Sequence, residues 1–368
     1  MIRLLLLSLL GTWSHWLLAE TMVPTNDTLR LGWTIVLDGV SHSRTNIGVP
    51  GRMDHMAYDP KTHRLFVAAL ENGSLEVIDA KDGRRVGSIA GLEEPQGVAL
   101  IPDQSAVAVA CGGDGRVLLY DTKTLTQFRY LNVGEDADNV RYDSKRHRLF
   151  VAVGDINTGA LVEMDTLTWT TTREIRFASH PESFQLDPDG DRIYANIPGG
   201  VRSLHDGTVA FASRRSGTVT SVVPLVGRGR NFPMALDSKH GRLFIATRRP
   251  ARLIEIDIAS QSVLSETPCS DDSDDLFLDE NQNRIWISSG GFRPDLQTPD
   301  EASPLTPPGV PGSLDGFDIG HVPPVRSVSV PTAWHARTCL FVPTLKSIFA
   351  AIPFREGRDP EVRQYLWR

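Results

Sequence analysis

Four carboxylates recur at one position of a repeating segment, and any chemistry in this chain starts from them. They are Asp54 in MDHMAYD, Asp138 in ADNVRYD, Glu182 in PESFQLD and Asp274 in SDDLFLD. Three further segments align with these: PQGVALI, NFPMALD and ARTCLFV. The full column is then Asp54, Gln96, Asp138, Glu182, Phe232, Asp274 and Arg337, always two residues ahead of an apolar position. Neighbouring columns add His55, Asn139 and Asp275, while His180, Asn231 and His335 stand at or just before it. Clustered carboxylates repel one another unless a cation, an arginine or a proton relieves them. Such a set could hold a divalent cation such as calcium through oxygen ligands. It could equally bind a polyhydroxylated or cationic molecule, with Arg337 as the only cation in the column. A histidine beside a bound cation could activate water. The structural alternative is a solvated rim whose acids and asparagines serve turns.

No compact catalytic signature accompanies these residues. GxSxG, HExxH, a glycine-rich phosphate loop after a strand and CxxCH are all missing. The acidic run SDDSDD, residues 270–275, lacks the glycine and terminal glutamate of a calcium loop and reads as solvated. His63 and His147 fall in turns at the far rim.

The elements that must position the column are strands. Residues 54–91 hold four short apolar runs, HMAY, RLFVAAL, SLEVI and RVGSIA, separated by Asp-Pro, Asn-Gly and Asp-Gly. Runs of this length and punctuation predict four antiparallel strands. The second run recurs as RLFVA, AVAVA, RLFVA, RIYAN, RLFIA, RIWIS and SIFAA, starting at residues 64, 106, 148, 192, 242, 284 and 347. A period near 42 with four strands per unit predicts an all-β, seven-bladed β-propeller of four-stranded antiparallel blades. The second run is apolar throughout, as a strand covered on both faces must be. The third run tends to end in Asp (Asp79, Asp121, Asp165, Asp257, Asp318), placed to accept N–H groups of the next turn.

The last unit stops one strand short, and a spare strand, GWTIVLDGV, precedes the first unit at residues 32–40. Pairing it with residues 362–367 predicts a ring closed by the N-terminal strand and removes two open edges. In a propeller the first strand of each blade lines the channel, so the acidic column is expected to ring one mouth. Two insertions, in residues 198–207 and 292–312, fall between second and third strands, on that same rim. The second is Pro- and Gly-rich and is expected to be mobile and to reach over the mouth.

Residues 1–19, MIRLLLLSLLGTWSHWLLA, have the charged start, leucine-rich centre and small terminal residue of a secretory signal peptide. The expected product is one propeller domain over residues 20–368, exported to a periplasmic or extracellular compartment, with no other membrane attachment. The net charge of −7 and the lack of a basic stripe argue against nucleic acid as a partner. Three cysteines, Cys111, Cys269 and Cys339, do not suggest a disulfide framework.

The motif LFVAALENGSLEVID at residues 65–79 resembles the YVTN-repeat, or YncE-like, β-propellers, and through them the seven-bladed lactonase-type propellers. Phe66 stands for the family's tyrosine and Ala69 for its asparagine. The resemblance covers essentially residues 32–368 and implies the propeller architecture. It also implies two activities: binding of a small polar molecule or a protein at the channel mouth, or metal-dependent lactone hydrolysis there. A scaffold without a ligand is the third reading. The residues expected at the site are Asp54, His55, Gln96, Asp138, Asn139, His180, Glu182, Asn231, Asp274 and Arg337.

Overall fold

A computed structural model of the chain describes residues 29–40, 51–155, 157–199, 206–291, 309–355 and 357–367. Residues 1–19, expected to be a signal peptide, and most of both insertions lie outside these residues, so the expected mobility and reach of the second insertion fall outside them too. Seven four-stranded antiparallel sheets form the blades of a propeller. Blades 1 to 6 each take four consecutive strands, beginning at Met56, Pro95, Val140, Phe184, Gly229 and Ser273. Blade 7 takes Cys339–Val342, Ser347–Ile352 and Glu361–Leu366, and its fourth strand is Arg30–Val36 from the start of the chain. The closing pairs are Thr34 with Arg363, Ile35 with Val362 and Val36 with Glu361. Among the described residues, no helix is long and apolar enough to cross a membrane.

The turns form for the reason the residue types suggest. Asp79 Oδ1 accepts the N–H groups of Lys81 and Asp82, and Asp165 Oδ1 those of Leu167 and Thr168. Asp121, Asp257 and Asp318 do the same in their blades. Gly83, at φ +62°, closes one such turn under the Trp33 indole, 2.7 Å from where a Cβ would sit. Only glycine meets both conditions, and the contact fastens the closing strand to blade 1.

Packing between blades follows from the two-faced second strands. Seven apolar clusters occupy the seven interfaces around the ring, including one that joins Ile35, Val362 and Phe349 to Met56, Leu65 and Val67. Phe66, Phe150, Phe244 and Phe349 are essentially fully buried. Each such side chain contributes roughly 1.5–3 kcal/mol. The arginine that opens the second strand adds a polar tie. Arg64 Nη1 donates to the carbonyls of Thr122 and Lys123 in blade 2, at 2.6 Å each, and Arg242 Nη1 donates to Ile319 O in blade 6. The three cysteines are buried, unpaired and spread over blades 2, 5 and 7.

Candidate functional site

The acidic column is built by one repeated backbone contact. The N–H groups of Asp54, Asp138 and Glu182 each donate to a second-strand carbonyl, Ala68, Ala152 and Asn196 respectively, at 2.8–3.0 Å. The same residue of blades 1, 3 and 4 is thereby delivered to the same rim. Gly97 lets the rim close up, because a Cβ there would lie 2.0 Å from Asp138 O. The result is a cup of about 840 Å³ at the channel mouth, lined by Asp54, His55, Gln96, Asp138, Asn139, His180, Glu182, Asp274 and Arg337 among others. Nine of the ten expected residues are therefore brought together. Asn231 is not: it turns inward, fully buried, and donates to Asn196 Oδ1 and Thr208 O. Its polar type reflects that buried amide pair between blades 4 and 5.

The four carboxylates do not converge on one point. They divide into two halves by their partners. On one side Arg248 and Arg337 clamp two acids of blade 6. Arg248 donates to Asp274 Oδ1 at 2.6 Å, and Arg337 Nη1 to Asp272 Oδ1 at 2.9 Å. Arg248 Nη1 also stands 3.2 Å from Asp272, and Arg337 Nε 3.0 Å from Asp274. Arg248 further lies over the Phe232 ring at 4.0 Å. Although burial opposes ionisation, the Arg337 and Arg248 charges hold the Asp272 carboxyl well below the usual range. The acidic run of residues 270–275 is thus not a solvated loop: Asp271, Asp272 and Ser273 are at most 3% exposed. Arginines from other blades made that burial possible.

On the other side the acids face histidines. His55 reaches across the channel, with Nε2 at 3.0 Å from Asn139 Nδ2 in blade 3 and Nδ1 at 3.4 Å from Asp275 Oδ1 in blade 6. Burial disfavours its charge, but Asp275, Asp54 and Asp138 outweigh it and raise its pKa to about 10. A charged His55 calls for Asn139 to present its oxygen to Nε2, an amide flip. Asp138 stands 3.8 Å from His55, outside hydrogen-bond range, and its buried Oδ1 has no hydrogen-bond partner. Burial, with Asp54 and Glu182 adding to it and His55 opposing, pushes its carboxyl up to about 7. Glu182 is also raised, first by burial and then by Asp274, against the opposing charge of His180. His180 donates from Nε2 to Asp136 O at 3.1 Å, leaving Nδ1 4.0 Å from Glu182 Oε1. Asp54 pairs with Arg52 at 3.0 Å, and Gln96 is spent on Asp136 at 2.9 Å.

Sequence reasoning missed Arg248, Arg52 and Asp136. Arg248 had a usable signal. The seventh residue of the second-strand run in the seven units is Leu70, Gly112, Gly154, Pro198, Arg248, Gly290 and Pro353, so one charge interrupts an otherwise uncharged column. Arg52 and Asp136 also had a signal: the position two residues ahead of the acidic column reads Arg52, Glu94, Asp136, His180, Arg230, Asp272 and His335, charged or histidine in every unit.

The fold and this cup define a seven-bladed β-propeller with a charged, closed-in channel mouth. No family model and no curated protein matches the chain. Among solved structures it is similar to a chain of hydrazine synthase from Kuenenia stuttgartiensis. The TM-score is 0.70 over 86% of this chain and 95% of that one, at 17% identity. At that identity the likeness is one of fold.

Proposed function

We propose that this chain is an exported, YncE-like propeller that binds a small polar molecule in the cup at its channel mouth. The carrying observation is the cup itself, whose volume suits a small ligand better than a protein surface. Its described lining holds eight carboxylates against five arginines. Three of those arginines, Arg52, Arg248 and Arg337, are already committed to acids. Acceptor capacity remains at Asp138 and Glu182, which favours a cationic or polyhydroxylated molecule. A lactonase-like hydrolase is the second reading, supported by the grouping of His180 with two carboxylates, Asp138 and Glu182, in the same cup. Export rests on the leader-like residues 1–19.

A thermal-shift screen with diamines, aminosugars and sugar lactones tests the binding reading. At least one class should raise the melting temperature of the parent and leave Glu182→Gln unmoved. Silence across the screen, or equal shifts in the variant, would remove it.

A further inference from the structure

We infer that Asp138, His180 and Glu182 form a site for a single divalent transition-metal ion, of the zinc, cobalt or manganese class, inside the cup. The inference rests on the cup being a binding site and adds what is bound. One ligand atom from each residue lies within 4.8 Å of the other two. Three donors around a tetrahedral ion with bonds of about 2.0–2.1 Å sit roughly 3.3 Å apart, so a contraction of about 1.5 Å or less completes the set. Glu182 is the residue to supply it, since its side chain remains 26% exposed against 10% for His180.

Two observations beyond the cluster point to an ion. Asp138 is only 8% exposed, yet its Oδ1 is buried without a hydrogen-bond partner, its nearest ionisable neighbour being His55 Nε2 at 3.8 Å. A buried carboxylate oxygen left unpaired is costly, and a metal bond would relieve it. The second observation is the orientation of His180. Its Nε2–H donates to the backbone carbonyl of Asp136. That bond commits Nε2–H and turns Nδ1 toward Glu182, so that Nδ1 gives up its proton to an arriving ion, the arrangement by which metal-binding imidazoles are oriented.

The donor set selects the ion. One imidazole and two carboxylates suit borderline metals, whereas calcium and magnesium take oxygen alone. Calcium, expected from the acidic column, therefore fits the converged residues less well. Three protein donors leave a position free, and all three residues line the cup, so water or a ligand oxygen can complete the ion.

The full chain, stripped with chelator and dialysed, should be titrated calorimetrically with ZnCl2, CoCl2, MnCl2 and CaCl2. One equivalent of zinc or cobalt should bind, ahead of calcium, and bound cobalt should show visible d–d absorption. His180→Ala and Glu182→Gln should each lose at least tenfold in affinity. Asp138→Asn, nearly isosteric, should do the same with unchanged circular dichroism, which guards against misfolding of the other variants. His147→Ala, on the opposite rim, should bind as the parent does. No binding by the parent, preference for calcium, or parent-like affinity in His180→Ala overturns the site. If metal binding is absent but organic ligands still shift the melting temperature in chelator, only the metal site falls. If both are silent, the cup reading falls with it.

Discussion

Arg248 of blade 5 donates to Asp274 of blade 6 across 2.6 Å, and the same guanidinium stands 3.2 Å from Asp272. This one side chain decides which part of the acidic ring is spent on structure and which is left for a ligand. With Arg337 it neutralises the blade 6 acids and leaves Asp138 and Glu182 to the cup.

Removing Arg248 should therefore be costly. Arg248→Ala leaves the partly buried Asp274 to Arg337 and the buried Asp272 to Arg337 and His335, and breaking a buried pair from one side typically costs about 3–5 kcal/mol. Urea unfolding followed by tryptophan fluorescence measures the loss. A change below about 1 kcal/mol, the scale of exposed pairs, would mean the clamp does not stabilise the fold.

Asp272 sets an acid limit on stability. Its folded pKa is depressed, first by Arg337 and then by Arg248. A depressed carboxyl adds stability that is complete above the unfolded value of about 4 and is lost as pH falls through the folded value. Melting temperatures from pH 7 down to pH 2 should fall steeply at the acid end. Asp272→Asn should be less stable at pH 7 and flatter below pH 4. Parallel curves would contradict this assignment.

Much of the fold was legible because turn residues punctuate it so regularly. Asp79, Asp121, Asp165, Asp257 and Asp318 mark the ends of third strands, and the spare strand around Trp33 announces how the ring closes. The acidic ring was legible as a column for the same reason. Its division was not, because partners come from other columns: Arg248 from the end of a second strand, Arg52 and Asp136 from the connections between blades. Asn231 misled because a buried amide pair and a ligand-facing amide look the same in sequence.

Asp138 should show the opposite pH sign to Asp272. Its folded pKa is raised, chiefly by burial, to about 7. Stability tied to this group is greatest below the unfolded pKa of about 4 and declines as pH rises toward 7. In chelator at pH 8, Asp138→Asn should melt higher than the parent by about 2–4 °C, the scale of 1 kcal/mol in a large domain. At pH 4 the two should coincide. A variant that melts lower at pH 8 would show that the ionised carboxylate is already well compensated by His55.

Closure of the ring can be tested from its last strand. Deleting residues 362–368 removes the partner of Arg30–Val36 and opens edges on both sides of the gap. The truncated protein should aggregate on size-exclusion chromatography and melt well below the parent. A monodisperse product with parental melting would contradict closure by the N-terminal strand.

The most direct measurement is a crystal structure of the protein soaked with the strongest binder from the thermal-shift screen. The expected density lies in the mouth cup, within hydrogen-bond reach of Asp138 and Glu182 and bounded by His55 and Arg337. A second cavity of about 580 Å³ sits on the opposite rim between Arg146 and Arg214. Density there with an empty cup, or a cup that stays empty while the binder shifts melting, would contradict the claim that the acidic ring is where this propeller binds.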